Sequence, residues 1–429
     1  MFGKSIALTV AAASLFAIAR AEEAPAPPVA RGPTMLSSAF SPESLEQARL
    51  KDFEALLDQA SLTEDFVGLA VAVVRHGEIA LLKTYGVREA GGAAPVTPGT
   101  VFRIGSLSKG FASTLAGLAV EEGEISLTSP VAPYAPGLAL KGGTEETLTV
   151  EDVLSHRVGL PPNAYDNLLE AGAKVADILP KFRSVKPICA VGTCYAYQNI
   201  AYDLIGGVLS SVYDEPYADL VGERIFIPLG MRAASIGAEG LKASLDWARP
   251  HVRERIAEGA DRVAFGPWRA VEVEDAYYRT PAAGGINASI ADMALWLEAQ
   301  MGAAPEVAPA SVLERIHAPL VDTPAELRRW PGLAGRLGGA RYALGWRVYD
   351  YAGYTLVNHS GTVEGYGAQI AFLPEEDVGI VILSNTSAER VWRILPAFLD
   401  IELGLPEKDW LALEGATSFN AGFAGEGNN

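Results

Sequence analysis

Cysteine and histidine are scarce in this chain, at two and five of 429 residues. His76, His156, His251, His317 and His359 form neither an HExxH pair nor a Cys/His spacing suited to zinc, so no metal is expected. A GxSxG nucleophile elbow and a glycine-rich phosphate loop are also missing, which excludes the commonest hydrolase layout and the usual nucleotide-binding one, and no cofactor is expected. Beyond the N-terminus there is no apolar run long enough to span a bilayer. Basic residues are outnumbered, 34 against 52 acidic, for a net charge of −18. That balance argues against nucleic acid or an anionic membrane as partner, and reads otherwise as solubility.

The one marked apolar run lies at the start. Lys4, then SIALTVAAASLFAIA, then Ala19-Arg20-Ala21 have the pattern of a secretory signal peptide over residues 1–21. EEAPAPPVARGP then makes residues 22–38 a Pro- and Ala-rich leader. With no cysteine at the cleavage point, no membrane anchor is expected, and the mature chain is read as soluble, exported across the inner membrane and periplasmic. Losing Lys4 and Arg20 brings its charge to about −20. In such a chain Cys189 and Cys194 predict a disulfide, with two buried thiols as the alternative. So small a ring would stiffen only the segment leading to Tyr197.

Apolar spacing predicts a helix over 43–60, and two apolar runs about His76-Gly77 predict a hairpin. From Ser106 to about 280 the texture turns helical, with a capping-box spacing at Thr149 and Asp152 that recurs at Ser289 and Asp292. YALGWRVYDY, YTLVNHSG, YGAQIAFLP and VGIVILSN then follow closely enough for an antiparallel meander, ahead of a last helix, VWRILPAFLDIEL. The expected fold is α/β of the α+β kind. An antiparallel sheet with flanking terminal helices is built from 39–105 and 281–412, around an inserted all-helical domain, 106–280, with a tail at 413–429. A site belongs in the crevice between the two.

RIGSLSKGF, residues 103–111, holds the only SxxK. On local grounds Ser106 is a helix cap and Lys109 a solvated charge. The chemical reading is that Ser106 stands at a helix N-terminus, where backbone N–H groups favour developing negative charge, with Lys109 one turn along on the same face. Apolar flanks would desolvate that lysine and let it act as a base.

Three motifs decide between these readings. Ser106-Leu107-Ser108-Lys109, Tyr197-Gln198-Asn199 in GTCYAYQNIAYDLIG, and His359-Ser360-Gly361 in NHSGTVEGYGAQIAFLP occur in the order SxxK, YxN, HxG. With VEEGEISLTSPV, LTVEDVLSHRVGLP, PLGM and GGINASIADMALWL around them, the chain from about 45 to about 405 resembles the class C β-lactamase and DD-peptidase family of penicillin-recognising serine hydrolases. Tyr165-Asp166-Asn167 is also a YxN, but lacks the GTxYxYxN approach. Without Ser106 and Lys109, Tyr197 would read as a packed aromatic and His359 as a core histidine.

The resemblance implies a β-lactamase/transpeptidase-like fold and attack by Ser106 on a carbonyl. Lys109 takes the proton, alone or shared with Tyr197, whose hydroxyl serves the leaving group and later the water. Asn199 would donate its amide to the acyl portion. The backbone N–H groups of Ser106 and Thr362 would hold the oxyanion, so Thr362 acts through its backbone. Many β-lactamases have KTG where this chain has HSG, and imidazole is mostly neutral near pH 7. Some DD-peptidases supply the charge from an arginine on the preceding strand, the place of Arg347 in LGWRV, which otherwise reads as a solvated strand residue. The implied substrates are D-amino-acid peptides or β-lactams, with a carboxylesterase and a non-turnover penicillin or muropeptide sensor as alternatives.

Overall fold

The computed structural model describes residues 41–258, 262–329, 333 and 335–413. The expected signal peptide, leader and all but the first residue of the expected tail lie outside the described residues. Contacts group the chain into Met1–Leu45 and Glu46–Asn429, and the fold below is that of the second unit.

The predicted hairpin is strand β1 (Gly68–Arg75) and strand β2 (Glu78–Gly86). Its turn needs positive φ at both central positions, 52° at His76 and 74° at Gly77. Short strands β3 (Val101–Arg103), β4 (Ser235–Ile236) and β5 (Ile286–Ser289) form a small antiparallel sheet in the order β3-β5-β4. After β6 (Val321–Asp322) comes the meander: β7 (Leu337–Tyr342), β8 (Arg347–Tyr351), β9 (Tyr354–Val363), β10 (Tyr366–Leu373) and β11 (Val378–Ser384). The large sheet runs β6-β7-β8-β9-β10-β11-β1-β2, so a strand from near the beginning of the fold pairs with the last one, Leu69 opposite Ser384.

Helices cover both faces of this sheet. On one, α1 (Pro42–Ser61) and α6 (Glu389–Glu402) bring Phe53, Leu57, Ile394 and Phe398 against Leu69, Val71 and Ile382. On the other, α2 (Ser108–Glu121) and α5 (Ile290–Gln300) pack Leu115 and Trp296 against Ala70, Ala72 and Leu383. Two covered faces explain why β1 reads GLAVAVVR with no polar alternation. Both predicted capping boxes form, at Thr149 before α3 (Val150–Leu154) and at Ser289 before α5. The 106–280 block contains α2, α3 and α4 (Leu204–Tyr213), together with short strands such as Arg255–Glu258 and Arg262–Phe265. Among the described residues no helix is long and apolar enough to cross a membrane.

For the site, the register of β9 matters most. Its pairing with β8 ends at Arg347 opposite Asn358, while its pairing with β10 runs on through Val363. From His359 onward β9 has, among the described residues, no partner strand on that edge, and residues 104–106 pack against one of its faces: a methyl built on Gly361 would stand 3.0 Å from Ser106 N.

Candidate active site

Ser106 sits in a single 3₁₀ turn, Gly105–Leu107, that leads into α2. The turn enters through Gly105 at φ +52°, where a methyl would lie 3.1 Å from Thr362 N; both conformation and closeness call for glycine. Two N–H groups, of Ser106 and Thr362, thus flank one close backbone contact. Ser106 is partly exposed between buried neighbours. Ser108 points elsewhere, its Oγ donating to the Gly105 carbonyl at 2.7 Å and accepting from Ile286 N–H at 3.1 Å, so it ties α2 to β5.

Lys109 is fully buried, against the common expectation for a lysine. Nζ lies 3.2 Å from Ser106 Oγ, 2.9 Å from Asn199 Oδ1 and 2.9 Å from the Ala283 carbonyl. Burial holds the amine well below the ordinary lysine range; Asp166 and Asp203 oppose that shift and Arg347 adds to it. A neutral amine has two N–H bonds and one lone pair. Asn199 and Ala283 accept the two N–H bonds, which leaves the lone pair for the Ser106 hydroxyl.

The Tyr197 ring lies 4.7 Å from Lys109 Nζ. Burial pushes its phenol up to about 12, only partly offset by Arg347 and a hydrogen bond with Ser106. At neutral pH Tyr197 therefore keeps its proton, and Lys109 Nζ is the amine within reach of Ser106 Oγ. Asn199 is committed at both ends: Oδ1 faces Lys109, and Nδ2 donates to Asp166 Oδ2 at 2.7 Å. The amide donor that the family resemblance gives to substrate is held inside the protein.

His359 is buried and neutral, its imidazole held well below its usual range chiefly by burial, then by Arg347 and Lys109. Its tautomer follows from a chain of bonds. Gln198 N–H donates to His156 Nδ1 at 3.1 Å, so His156 Nε2 donates to Tyr342 Oη at 3.1 Å. Tyr342 then donates to His359 Nε2 at 3.1 Å, and His359 Nδ1 donates to the Ser360 carbonyl at 2.9 Å. Both ring nitrogens are occupied, so the imidazole ties β9 to β7. Arg347, 7% exposed, is no solvated residue: Nη1 donates to Ser360 Oγ at 3.3 Å, and Nε lies 3.7 Å from Glu326 Oε2.

Cys189 and Cys194 form a disulfide. Its loop docks on the 157–159 backbone through Ile188 N–H to Gly159 O at 2.9 Å and Gly192 N–H to Arg157 O at 2.8 Å. That brings Ala196 N–H to His156 O at 2.9 Å, immediately before Tyr197.

Sequence reasoning missed Asp166, Asp203, Ala283, His156 and Tyr342. Asp203 is half-buried, its carboxyl raised to about 7 chiefly by loss of solvent, and Oδ1 accepts from Ala282 N–H at 2.8 Å. It thereby fixes the turn whose next carbonyl receives Lys109. Its position in QNIAYDLIG, just ahead of an apolar helix, was the available signal. Among the described residues no group of three or more His, Cys, Asp or Glu side chains is placed to hold a metal.

A β-lactamase from Pseudomonas fluorescens is 27% identical over 359 residues, 76% of this chain and 92% of that protein. Unguisins hydrolase ungD of Aspergillus violaceofuscus is 26% identical over 382 residues, 83% of this chain but only 65% of that longer protein. Among solved structures, a β-lactamase/D-alanine carboxypeptidase from Pseudomonas syringae superposes with a TM-score of 0.63 at 21% identity, covering 85% of this chain and 100% of that one. At that identity the match speaks for the fold. The β-lactamase family model matches residues 50–399, and the chain belongs to the β-lactamase family.

Proposed function

We propose that this protein is an exported hydrolase that forms an acyl-enzyme on Ser106, from amides next to a C-terminal D-amino acid or from β-lactams. The observation that carries the reading is the buried Lys109, with both N–H bonds of its neutral form accepted by Asn199 and Ala283 and its lone pair left for Ser106. In the first step Ser106 Oγ bonds to the carbonyl carbon, its proton passes to Lys109 Nζ, and the π pair moves to the oxygen between the N–H groups of Ser106 and Thr362. Collapse breaks the carbon–nitrogen bond as the Tyr197 hydroxyl gives its proton to the departing amine and regains one from the Lys109 ammonium. Water then loses a proton to the neutral Lys109 amine, by way of Tyr197, and adds to the acyl carbon; the ester bond breaks, and that proton returns to Ser106 Oγ as the acid leaves. Residues 39–105 with 281–412 supply Gly361 and Thr362, and 106–280 supplies Ser106, Lys109 and Tyr197.

Substrate class turns on Arg347. With His359 neutral, the Arg347 guanidinium beside Ser360 Oγ is the cation available to a substrate carboxylate at the free edge of β9. Glu326 beside it favours a second reading, an esterase for uncharged acyl esters, because the pair is neutral overall.

A penicillin, a peptide ending in D-Ala-D-Ala and a short aryl ester, each followed for product and for covalent mass on Ser106, separate these readings. Arg347→Ala is expected to raise KM for the two carboxylate-bearing substrates by about 10- to 100-fold and to leave the ester within about threefold. Equal losses on all three substrates remove Arg347 from carboxylate recognition. Acylation without release would mark a sensor. Export predicts that protein recovered from the periplasm begins at Glu22, as N-terminal mass analysis would read.

A further inference from the structure

Tyr165-Asp166-Asn167, the second YxN of the sequence, lies against the first. Each residue of Tyr197-Gln198-Asn199 grips the 160–166 loop. The Tyr197 carbonyl accepts from Asn163 N–H at 2.8 Å. Gln198 Oε1 accepts from Ala164 N–H at 3.2 Å, while its Nε2 donates to the Pro161 carbonyl. Asn199 Nδ2 donates to Asp166 Oδ2 at 2.7 Å. The loop holds positive φ at two non-glycine residues, 53° at Asn163 and 64° at Tyr165, a conformation that persists where surrounding contacts impose it. These contacts bring a buried carboxylate, 7% exposed, to the far side of Asn199 from Lys109.

An amide side chain has one accepting end and one donating end of nearly the same shape, so its neighbours decide which way it points. An ionised carboxylate only accepts. Asp166 therefore takes the NH₂ end of Asn199 and leaves the oxygen for Lys109. Were the amide reversed, its NH₂ would face Nζ and draw the amine's lone pair away from Ser106.

We propose that Asp166 is the positioning residue for the Lys109 base, fixing the Asn199 amide with its oxygen toward Nζ and setting a buried negative charge behind it. The proposal rests on the acyl-enzyme reading above. Asp166 and Asp203 favour the ammonium form of Lys109, while burial and Arg347 oppose it. Neutral His156 and His359 and the rings of Tyr197 and Tyr202 complete its surroundings. Burial, with Glu170, raises the Asp166 carboxyl above its usual range, while Asn199, Lys109 and Tyr277 hold it down and favour the carboxylate. Removing its charge lowers the pH at which Lys109 becomes the free base.

Asp166→Asn keeps the shape and can still accept from Asn199 through its own amide oxygen, whereas Asp166→Ala loses both bond and charge. The full mature chain, carrying ¹³C-labelled lysine, is titrated with the Lys109 Cε resonance as readout. Phosphonylation of Ser106 by a fluorophosphonate, in which Oγ bonds to phosphorus and fluoride leaves, is followed across the same pH range as a stand-in for acylation. In both variants the Lys109 midpoint and the acid limb of acylation are expected to move down together by about one pH unit. The plateau rate should stay within about threefold in Asp166→Asn and fall about tenfold or more in Asp166→Ala. A residue serving only the fold would lower the melting temperature and leave both midpoints in place. An unchanged Lys109 midpoint in folded Asp166→Asn overturns the proposal, and should the alanine variant fail to fold, the asparagine variant still decides. If wild-type Ser106 takes no label, the acyl-enzyme reading fails, while the lysine titration still judges Asp166.

Discussion

A Ser106→Ala variant takes up no covalent acyl group and turns over the best wild-type substrate more slowly by on the order of 10⁴-fold or more. Ser108 cannot substitute, because its Oγ is tied to the Gly105 carbonyl and to Ile286 N–H. Lys109→Met should cost nearly as much in rate, because without the amine the Ser106 proton has no acceptor, and the phenol of Tyr197 keeps its own proton at neutral pH. It should also lower the melting temperature, since Asn199 Oδ1 and the Ala283 carbonyl are left buried without their donor. The two losses do not add, because serine and lysine act as one unit, and the double variant should resemble either single one. The pH profile gives an independent check. In the proposed mechanism acylation requires neutral Lys109, so its rate is expected to rise with pH through the lysine titration, and burial sets that rise below the ordinary lysine range. Wild-type-like turnover in Ser106→Ala, measured on the best of the three substrates, would remove the serine mechanism altogether.

What the sequence reveals of such a site depends on how local each part is. Ser106 and Lys109 share one helical turn, so spacing alone suggests that they can meet. The meander was legible because each strand pairs with the next, and the hairpin because His76-Gly77 has the turn chemistry its positive φ values require. The closing pair of the sheet, β1 with β11, joins residues more than three hundred positions apart, and only the idea of a sheet built from both ends hinted at it. Asp166 and Ala283 lie 33 and 174 positions from their partners Asn199 and Lys109. Neither carries a local mark of its role, one being an acid in a loop and the other a backbone carbonyl. His359 was legible as a motif letter. Its orientation depends on Tyr342 and His156, the latter pair 186 positions apart, and no sequence spacing encodes a tautomer.

Gly361→Ala should be the most damaging change of a single methyl group outside the reacting side chains. The new Cβ would fall within the van der Waals shell of Ile104 O and stand 3.0 Å from both Ile104 C and Ser106 N. All three are backbone atoms, so no flexible side chain can move aside. On its other side β9 is held to β10, Gly361 opposite Ala368, so the strand cannot turn the methyl elsewhere without breaking that register. The strain is relieved by parting β9 from the 104–106 turn, which moves Thr362 N–H away from Ser106 N–H and opens the proposed oxyanion hole. Loss of one such donor lowers kcat by roughly 10²- to 10³-fold. The proposed substrate binding through Arg347 and Ser360 should survive, so KM is expected to change far less than kcat, and the Lys109 titration should keep its midpoint. Gly99→Ala is the control, since its nearest neighbours would be 3.8 Å away, and it should leave both constants as they are. If Gly361→Ala keeps more than half of the wild-type kcat, the contact between β9 and the nucleophile turn is not what holds the two N–H groups on the reacting oxygen.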